Sequence, residues 1–406
     1  MLMAKQIFLE TKEGTTKILV PKQRTKSIFY NPKMELCRDI DIASIAAFVS
    51  SLPSHQAPLT YIDALAGTGV RGVRVAKEVG LAVAINDRSK SAYELIKKNI
   101  KLNEIGESAE AYNEDANVIL LQNKYDLVDI DPFGSPVPFL DAACKSVKKL
   151  LLITATDTAP LCGAHPGGLR KYDAKPLNTE YHKEIATRIL LGRITRDLCK
   201  YDRAIQPLLS YSRAHFIRVI ARVEKGAKKA DACMKRLGFI AHCFSCGNRF
   251  AFSCSELLQM SIEKKCDVCD AKIHIAGPLY LGAIKEKMFC EQVHEELGRR
   301  EMGKPKEAMK IVKTCIDELD IPYYYEHHAI CKALKVNPSS SSSLIDALHS
   351  NGFYASRTHF SDTAFKTDAG MEEIKDILKA PKQATSTSTS TKVLNIKNSD
   401  VEVGRA

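Results

Sequence analysis

From residue 60 to residue 154 the chain alternates short apolar runs with stretches whose apolar residues recur at helical spacing, and this pattern limits the fold more than any other feature. Residues 60–65, 82–85, 127–130 and 150–154 read as strands, and residues 70–79, 89–102 and 138–148 as the helices between them. Strands joined through helices of that length run parallel, in a sheet covered on both faces. A helix over residues 180–199 and a strand over 215–223 complete this α/β unit near residues 225–240. The 406 residues exceed what one growing core accommodates, so a second domain is expected.

On the N-terminal side, residues 7–20 read as a hairpin around Gly14, and a helix starts at Asp39 or Asp41 and ends before Pro53. On the C-terminal side, residues 286–320 read as one or two charged helices. Residues 323–336 and 343–350 read as short helices around Asn337-Pro338 and five serines, and residues 352–367 as a hairpin. Helix, turn, helix, hairpin is the layout of a winged-helix module. The Ser/Thr run after Pro381 has nothing to bury and reads as a disordered tail. The expected division is 1–235, 236–380 and 381–406.

Composition narrows the class. With 45% hydrophobic and 26% charged residues the chain is an ordinary globular protein, without the apolar run a membrane span requires and without a signal-peptide core. We expect a cytoplasmic, monomeric protein with no membrane partner. Its 59 Lys and Arg against 48 Asp and Glu give a net charge of +11, which favours a polyanionic partner without naming one. Thirteen cysteines, an odd number, do not form the disulfide framework of a small secreted domain.

The segment Asp63-Ala64-Leu65-Ala66-Gly67-Thr68-Gly69-Val70-Arg71-Gly72 closes a strand and opens a helix, and its last six residues match G-x-G-x-x-G. Glycines there permit a tight turn and close backbone approach to a ligand at a helix N-terminus. Asp87, beyond the next strand, is placed to accept hydrogen bonds from a ribose diol. A nicotinamide dinucleotide and S-adenosylmethionine both fit this pattern. Asp63 separates them: a carboxylate at that turn repels a pyrophosphate but suits a ligand carrying an ammonium and a sulfonium. Asp115 suits the exocyclic amine of adenine. Each aspartate alone would pass as a loop cap, but all three follow successive strands.

At the end of the next strand runs Asp131-Pro132-Phe133-Gly134-Ser135-Pro136. Ligands of open α/β sheets sit outside the carboxyl ends of the strands, so this turn and the glycine turn face one crevice. An exocyclic amine on a base is a poor nucleophile because its lone pair is delocalised into the ring. The Asp131 carboxylate and a backbone carbonyl can take its hydrogens and aim the lone pair at a methyl group, while Phe133 stacks on the base and Pro132 stiffens the turn. The competing reading is a plain turn, since Asp, Pro and Gly are turn residues.

Cys243-Phe244-Ser245-Cys246 and Cys266-Asp267-Val268-Cys269 form two C-x₂-C pairs with 19 residues between them. Two such knuckles present four thiolates to a structural zinc and leave no open position for catalysis. Cys254 is a spare. Lys225, Lys228, Lys229, Arg193, Arg196, Arg299, Arg300, Lys304 and Lys306 are candidate phosphate contacts or solvated faces. Tyr323-Tyr324-Tyr325 suits base stacking or a buried helix start, and Arg357-Thr358-His359-Phe360 suits a wing contact to a nucleic-acid backbone.

Taken together these segments resemble the tRNA guanine-26 N(2)-dimethyltransferases of archaea and eukaryotes. The resemblance rests on residues 29–39 (Phe29 to Asp39), the glycine and Asp-Pro-Phe-Gly turns, Thr154 to Gly163, Gly277 to Gly282 and Ala355 to Phe360, and runs from about residue 5 to 375. It implies a Rossmann-like class I methyltransferase domain followed by a smaller α+β domain with a zinc ribbon and a winged-helix module. It further implies that Arg38, Asp63, Gly67, Gly69, Arg71, Asp87, Asp115 and Ala116 bind S-adenosylmethionine. Asp131 and Phe133 would hold the target guanine of tRNA, and Cys243, Cys246, Cys266 and Cys269 a zinc ion. Cys37 departs from the pattern, where a small polar residue is expected. The expected activity is transfer of one, then two, methyl groups to the guanine exocyclic amine. The alternatives are another guanine position or nucleic acid, or a zinc-ribbon RNA-binding protein without catalysis.

Overall fold

The computed structural model describes residues 8–23, 28–53, 58–259 and 265–380. Ile7 of the expected hairpin and the Ser/Thr tail lie outside the described residues. Strands β1 (Phe8–Glu13) and β2 (Thr16–Pro21) pair antiparallel. Helix α1 (Glu35–Ser50) begins earlier than its apolar periodicity indicates, because Asn31 accepts a hydrogen bond from the Lys33 amide and Pro32 opens a short turn of tighter helix that runs into it.

Then follow β3 (Thr60–Asp63), α2 (Val70–Arg74), β4 (Ala82–Asn86), α3 (Lys90–Leu102), β5 (Ala109–Tyr112), α4 (Ala116–Gln122), β6 (Tyr125–Ile130), α5 (Val137–Ser146) and β7 (Val147–Ala155). Two short helices, α6 (Thr158–Leu161) and α7 (Gly167–Tyr172), and the long α8 (His182–Cys199) lead to β8 (Arg203–Arg213) and β9 (Phe216–Lys225). The seven strands form one sheet in the order β5-β4-β3-β6-β7-β9-β8.

The expected all-parallel sheet is corrected here. Strands β3 to β7 are parallel, but β9 runs antiparallel to β7 and forms a hairpin with β8. β8 escapes a sequence reading because Pro207 interrupts it. Proline is tolerated there because β8 is the edge strand and the ladder slips a register between Pro207 and Leu209.

Helix α9 (Ala227–Met234) precedes a three-stranded sheet of β10 (Leu237–Cys243), β11 (Arg249–Ser253) and, after α10 (Cys254–Gln259), β12 (Ile273–Tyr280), in the order β11-β10-β12. Helices α11 (Lys287–Arg299) and α12 (Pro305–Asp317) come next. The remainder is β13 (Tyr325–Glu326), α13 (His327–Leu334), α14 (Ser341–Ser350), β14 (Ala355–Thr358), β15 (Ser361–Thr367) and α15 (Met371–Lys379), with the last sheet ordered β13-β15-β14.

Each face of the large sheet is buried. One face packs under α5 and α8, with Leu140, Ile185 and Ile189 against Leu151 and Ile153. The other lies under α1, and the same cluster continues into Phe289, Val293 and Leu297 of α11 and Ile311 and Val312 of α12. Residues on both sides of position 235 therefore share one apolar core. Among the described residues, no helix is long and apolar enough to cross a membrane.

The aromatic stretch and part of the basic ones serve packing, whereas Lys225, Lys228, Lys229, Lys304 and Lys306 are exposed. Tyr324 and Tyr325 are buried, and the Arg249 guanidinium lies 4.6 Å from the Tyr181 ring and 4.5 Å from that of Tyr325. In the hairpin of β14 and β15, Thr358 and Phe360 are buried and His359 meets Glu318 at 2.5 Å, so only Arg357 of the proposed wing contact faces solvent. Arg193 pairs with Asp173 and Asp197, and Arg300 with Glu296.

Candidate active site at the carboxyl ends of the parallel strands

The glycine turn lies between β3 and α2, tied to its neighbours by backbone bonds from Ala64 to Asp129 (3.2 Å) and from Ala66 to Asn86 (2.9 Å). Gly67 and Gly69 have φ of +57° and +79°, conformations that L side chains rarely adopt. A Cβ on Gly67 would lie 2.6 Å from the Phe29 carbonyl oxygen, so the strap preceding α1 crosses the turn at backbone contact distance.

Asp63 closes this turn from beneath: it is buried and accepts a hydrogen bond from the Gly72 amide at 3.1 Å. Burial and then the Asp129 carboxylate push its pKa well up, against the Gly72 hydrogen bond. The repulsion that the sequence suggested for Asp63 thus belongs more to its neighbours. Asp87 accepts from the Gly67 and Ser89 amides, each at 2.8 Å. Burial raises its pKa in spite of those bonds. Asp115 caps α4 by accepting from the Asn117 amide, and Ala116 is buried directly after it. Asn86, to which the sequence reading gave no role, donates to the Ala64 and Glu114 carbonyls (3.0 and 3.1 Å) and accepts from the Glu114 amide (3.0 Å). It thereby locks the turns carrying Asp63, Asp87 and Asp115 into one rim.

Opposite this rim is the Asp-Pro-Phe-Gly turn. The Gly134 amide donates to Thr156 Oγ1 at 2.7 Å, and the Thr156 amide returns a bond to the Gly134 carbonyl at 3.0 Å. This pairing holds Phe133 outward, 89% exposed, with its ring 5.9 Å from that of Phe29, itself 56% exposed. The two apolar rings touch each other and leave most of their surface in water at one mouth. Phe29 appears in the sequence only as part of a loop; the fold makes it the counterpart of Phe133.

Asp131 stands just inside these rings, its side chain 23% exposed. Arg71 reaches it from α2 and also contacts Asp41 and Asp129. Burial alone would raise the Asp131 pKa, but Arg71 and Arg218 outweigh it and hold the carboxyl below its ordinary value of 3.8. The carboxylate is therefore ionised at neutral pH and able to accept hydrogens. Arg38 is committed to Glu13 through two bonds of 2.7 and 2.5 Å and lies 5.5 Å from the Tyr30 ring. Glu13, Asp41 and Asp129 were not singled out in the sequence. Arg218 had a readable signal: an arginine inside the apolar run 216–220 must be paired when buried.

The four paired cysteines converge at the other end of β10. Their sulfurs all lie within 4.8 Å of one another, with Cys243–Cys269 at 3.5 Å and Cys246–Cys266 at 3.6 Å. Each pair caps a similar turn, Gly247 donating to Cys243 (2.9 Å) and Asp270 to Cys266 (2.8 Å). Tetrahedral zinc with bonds of about 2.3 Å separates its sulfurs by roughly 3.8 Å, so the donor set fits the ion. Cys254 is exposed and outside the set.

Residues 9–379 match the family described as N2,N2-dimethylguanosine tRNA methyltransferase. A tRNA (guanine(26)-N(2))-dimethyltransferase of Methanosarcina barkeri is 46% identical over 387 residues, covering 92% of this chain and 99% of the relative. One of Methanosarcina mazei is 47% identical over 381 residues, covering 91% and 97%. Among solved structures, the complex of Trm1 from Pyrococcus horikoshii with S-adenosyl-L-methionine superposes with a TM-score of 0.82 at 36% identity, over 92% of this chain and all of that one.

Proposed function

Because this chain belongs to the N2,N2-dimethylguanosine tRNA methyltransferase family, we propose that the crevice between the glycine turn and the Asp-Pro-Phe-Gly turn carries out its reaction. The protein is an S-adenosylmethionine-dependent tRNA guanine N2-dimethyltransferase, taking one and then a second methyl group to guanine 26. The observation that supports this use of the crevice is the ionised Asp131 placed behind two solvent-facing aromatic rings.

S-adenosylmethionine supplies a methyl group made electrophilic by its sulfonium. The glycine turn provides backbone contact at Gly67 and Gly69, Asp87 the acceptor for a ribose diol, and Asp115 with Ala116 the edge for an adenine. Arg38, Asp63 and Arg71 line or brace the same pocket; with both guanidiniums held by carboxylates, their first task is to fix its walls. Guanine stacks on the exposed ring of Phe133, beside Phe29, which fixes its plane. Asp131 accepts a hydrogen of the exocyclic amine and turns its lone pair towards the methyl group. No covalent enzyme intermediate is required. Extruding a stacked base costs a few kcal/mol, which contacts elsewhere on the tRNA offset.

We read residues 1–235 as the methyl-transfer part and 236–380 as the tRNA-holding part. The hairpins of residues 237–280 would form a zinc ribbon, with Cys243, Cys246, Cys266 and Cys269 as ligands and zinc in a structural role. Residues 305–367 follow a winged-helix order: helix, short strand, two helices, then a hairpin whose second strand pairs with the short strand. Work on tRNA suits a cytoplasmic protein, and we read it as a monomer, which its solution mass tests.

Incubation with unmodified tRNA and labelled S-adenosylmethionine, followed by digestion to nucleosides and mapping of the labelled position, tests the activity. We expect monomethylated and then dimethylated guanosine at position 26, and none with Asp131→Ala. Label at another guanine, or full activity in that variant, would overturn this account.

A further inference from the structure

Between β7 and α8 the chain folds back on itself around α6 and α7, next to the Asp-Pro-Phe-Gly turn. Thr156 is bonded to Gly134 through its amide and its hydroxyl. The Ser135 hydroxyl donates to the Tyr172 hydroxyl at 3.0 Å, and Tyr172 donates to Asp157 at 2.6 Å. Ser135 stands two positions after Phe133, so α7 is fixed against the turn that carries the guanine-stacking ring. On its other side, Lys175 and Gly277 of β12 exchange main-chain bonds of 2.8 and 2.9 Å. The loop has no slack: a Cβ on Gly168 would run into the Pro160 carbonyl oxygen, and one on Gly163, at φ +78°, would lie 2.9 Å from the Asn178 amide nitrogen. Within it is a cavity of about 390 Å³ whose lining includes Gly163, His165, Leu169, Lys175 and Pro176 and no carboxylate.

Several cations around this loop are committed: Lys171 pairs with Asp157, Arg193 with Asp173 and Asp197, and Arg196 donates to the Tyr172 carbonyl. Lys175 Nζ has no hydrogen-bond or ion-pair partner among the described residues, and neither has the guanidinium of Arg170, next in the chain to Leu169. His165 accepts from the Gly167 amide at Nδ1 (3.1 Å), which leaves the proton of the neutral ring on Nε2 as a donor. Leu169 is exposed and offers an apolar face. A space of this size takes one small unit and not a helix or a strand. A cation and a donor with no carboxylate suit a phosphate, and the apolar face suits a base. Extruding a guanine from its stack leaves the adjoining base without one of its stacking partners, and proteins receive such unstacked bases on their own surfaces. We propose that this cavity is a second RNA subsite, which takes the nucleotide adjoining the target guanine, its phosphate on Lys175 and His165 and its base against Leu169. This rests on the assignment of the neighbouring crevice to guanine.

The sequence contains no tryptophan, so Leu169→Trp places a single fluorophore on the cavity wall. At concentrations of unmodified tRNA that saturate binding in a filter assay, we expect its emission to be quenched by the base stacked on it. A tRNA made abasic on one side of the target guanine should no longer quench, while one made abasic on the other side should. Unquenched emission with intact tRNA, or equal quenching by the two abasic tRNAs, overturns the proposal. Lys175→Gln removes the charge from an exposed position. It should weaken tRNA binding about tenfold, the worth of one hydrogen bond to a charged group, and lower the slope of log Kd against log salt by about one. Affinity for S-adenosylmethionine and the melting temperature should stay near wild type. A wild-type Kd and salt slope in Lys175→Gln overturns the proposal. These readouts report binding, so a wild-type enzyme that does not methylate guanine 26, which counts against the assignment of the crevice, is a separate failure.

Discussion

A carboxylate collects the hydrogens of an aromatic amine only while it is ionised and partly exposed. Asp131 meets both conditions because two arginines sit behind it and two phenylalanines in front. Asp131→Asn preserves its shape and removes the charge, so we expect at least about a hundredfold loss of kcat with S-adenosylmethionine binding unchanged by calorimetry. The folded pKa is depressed, so the ionised form persists at every pH above 3.8 and kcat should show no acidic limb across the neutral range; a limb that Asp131→Asn abolishes would contradict the assignment. Gly67→Ala places a methyl group against the Phe29 carbonyl at a positive φ. A cost of roughly 1–3 kcal/mol should appear as a lower melting temperature, together with weaker S-adenosylmethionine binding. At this scale the sequence was informative about chemistry and less so about duty. Asp63, Asp87, Asp115 and Asp131 do gather at one end of the sheet, but burial turned Asp63 into a closure of the turn. The carboxylates and arginine behind Asp131 come from α1, β6 and β9, and no spacing along the chain brings those elements together.

Among the elements, the alternating strands and helices were legible because each buries a whole face and so declares its period. The hairpin of β8 and β9 was only half legible, since Pro207 interrupts β8, and so the sheet read as parallel. The knuckles were legible as cysteine spacing, although the three short strands around them were not. On the proposed zinc assignment, those strands are held at one end by the ion's four cysteine ligands. Strong chelation should therefore unfold residues 237–280 before the large sheet, seen as early hydrogen exchange confined to that segment, and Cys266→Ser should do the same. Retention of exchange protection there after chelation would count against a structural ion.

For the whole molecule, the division near residue 235 that composition suggests does not divide the core. α11 and α12 cover one face of the large sheet together with α1. A fragment ending at residue 235 would expose that face to water, and we expect it to be insoluble or to lack a cooperative melting transition. The distal sheet is fastened by charge as well. Lys366 of β15 lies 3.0 Å from both Glu184 of α8 and Glu318, and Glu318 also meets His359. Burial opposes the ionisation of Glu318, but His359 and Lys366 overcome it and hold the carboxyl far below its ordinary value of 4.5. Because the folded value is depressed, this contribution is complete above the ordinary value and is lost as acid is added below it. Lys366→Met should take one of two cationic partners from each carboxylate, leaving Glu184 with Arg188 and Glu318 with His359, and destabilise the protein by about 1–3 kcal/mol, measured by chemical denaturation.

That buried lysine has a consequence for how a nucleic acid is chosen. A hairpin bolted to the catalytic part by internal charges does not swing, so the distance from it to the crevice between Phe29 and Phe133 is constant. If residues 236–380 hold the tRNA as proposed, the molecule would work as a caliper: one jaw on the tRNA body, the other meeting whichever nucleotide lies one fixed span away. Selection of a single guanine would then follow from measurement of length along a folded RNA, with no need to read the letters on either side.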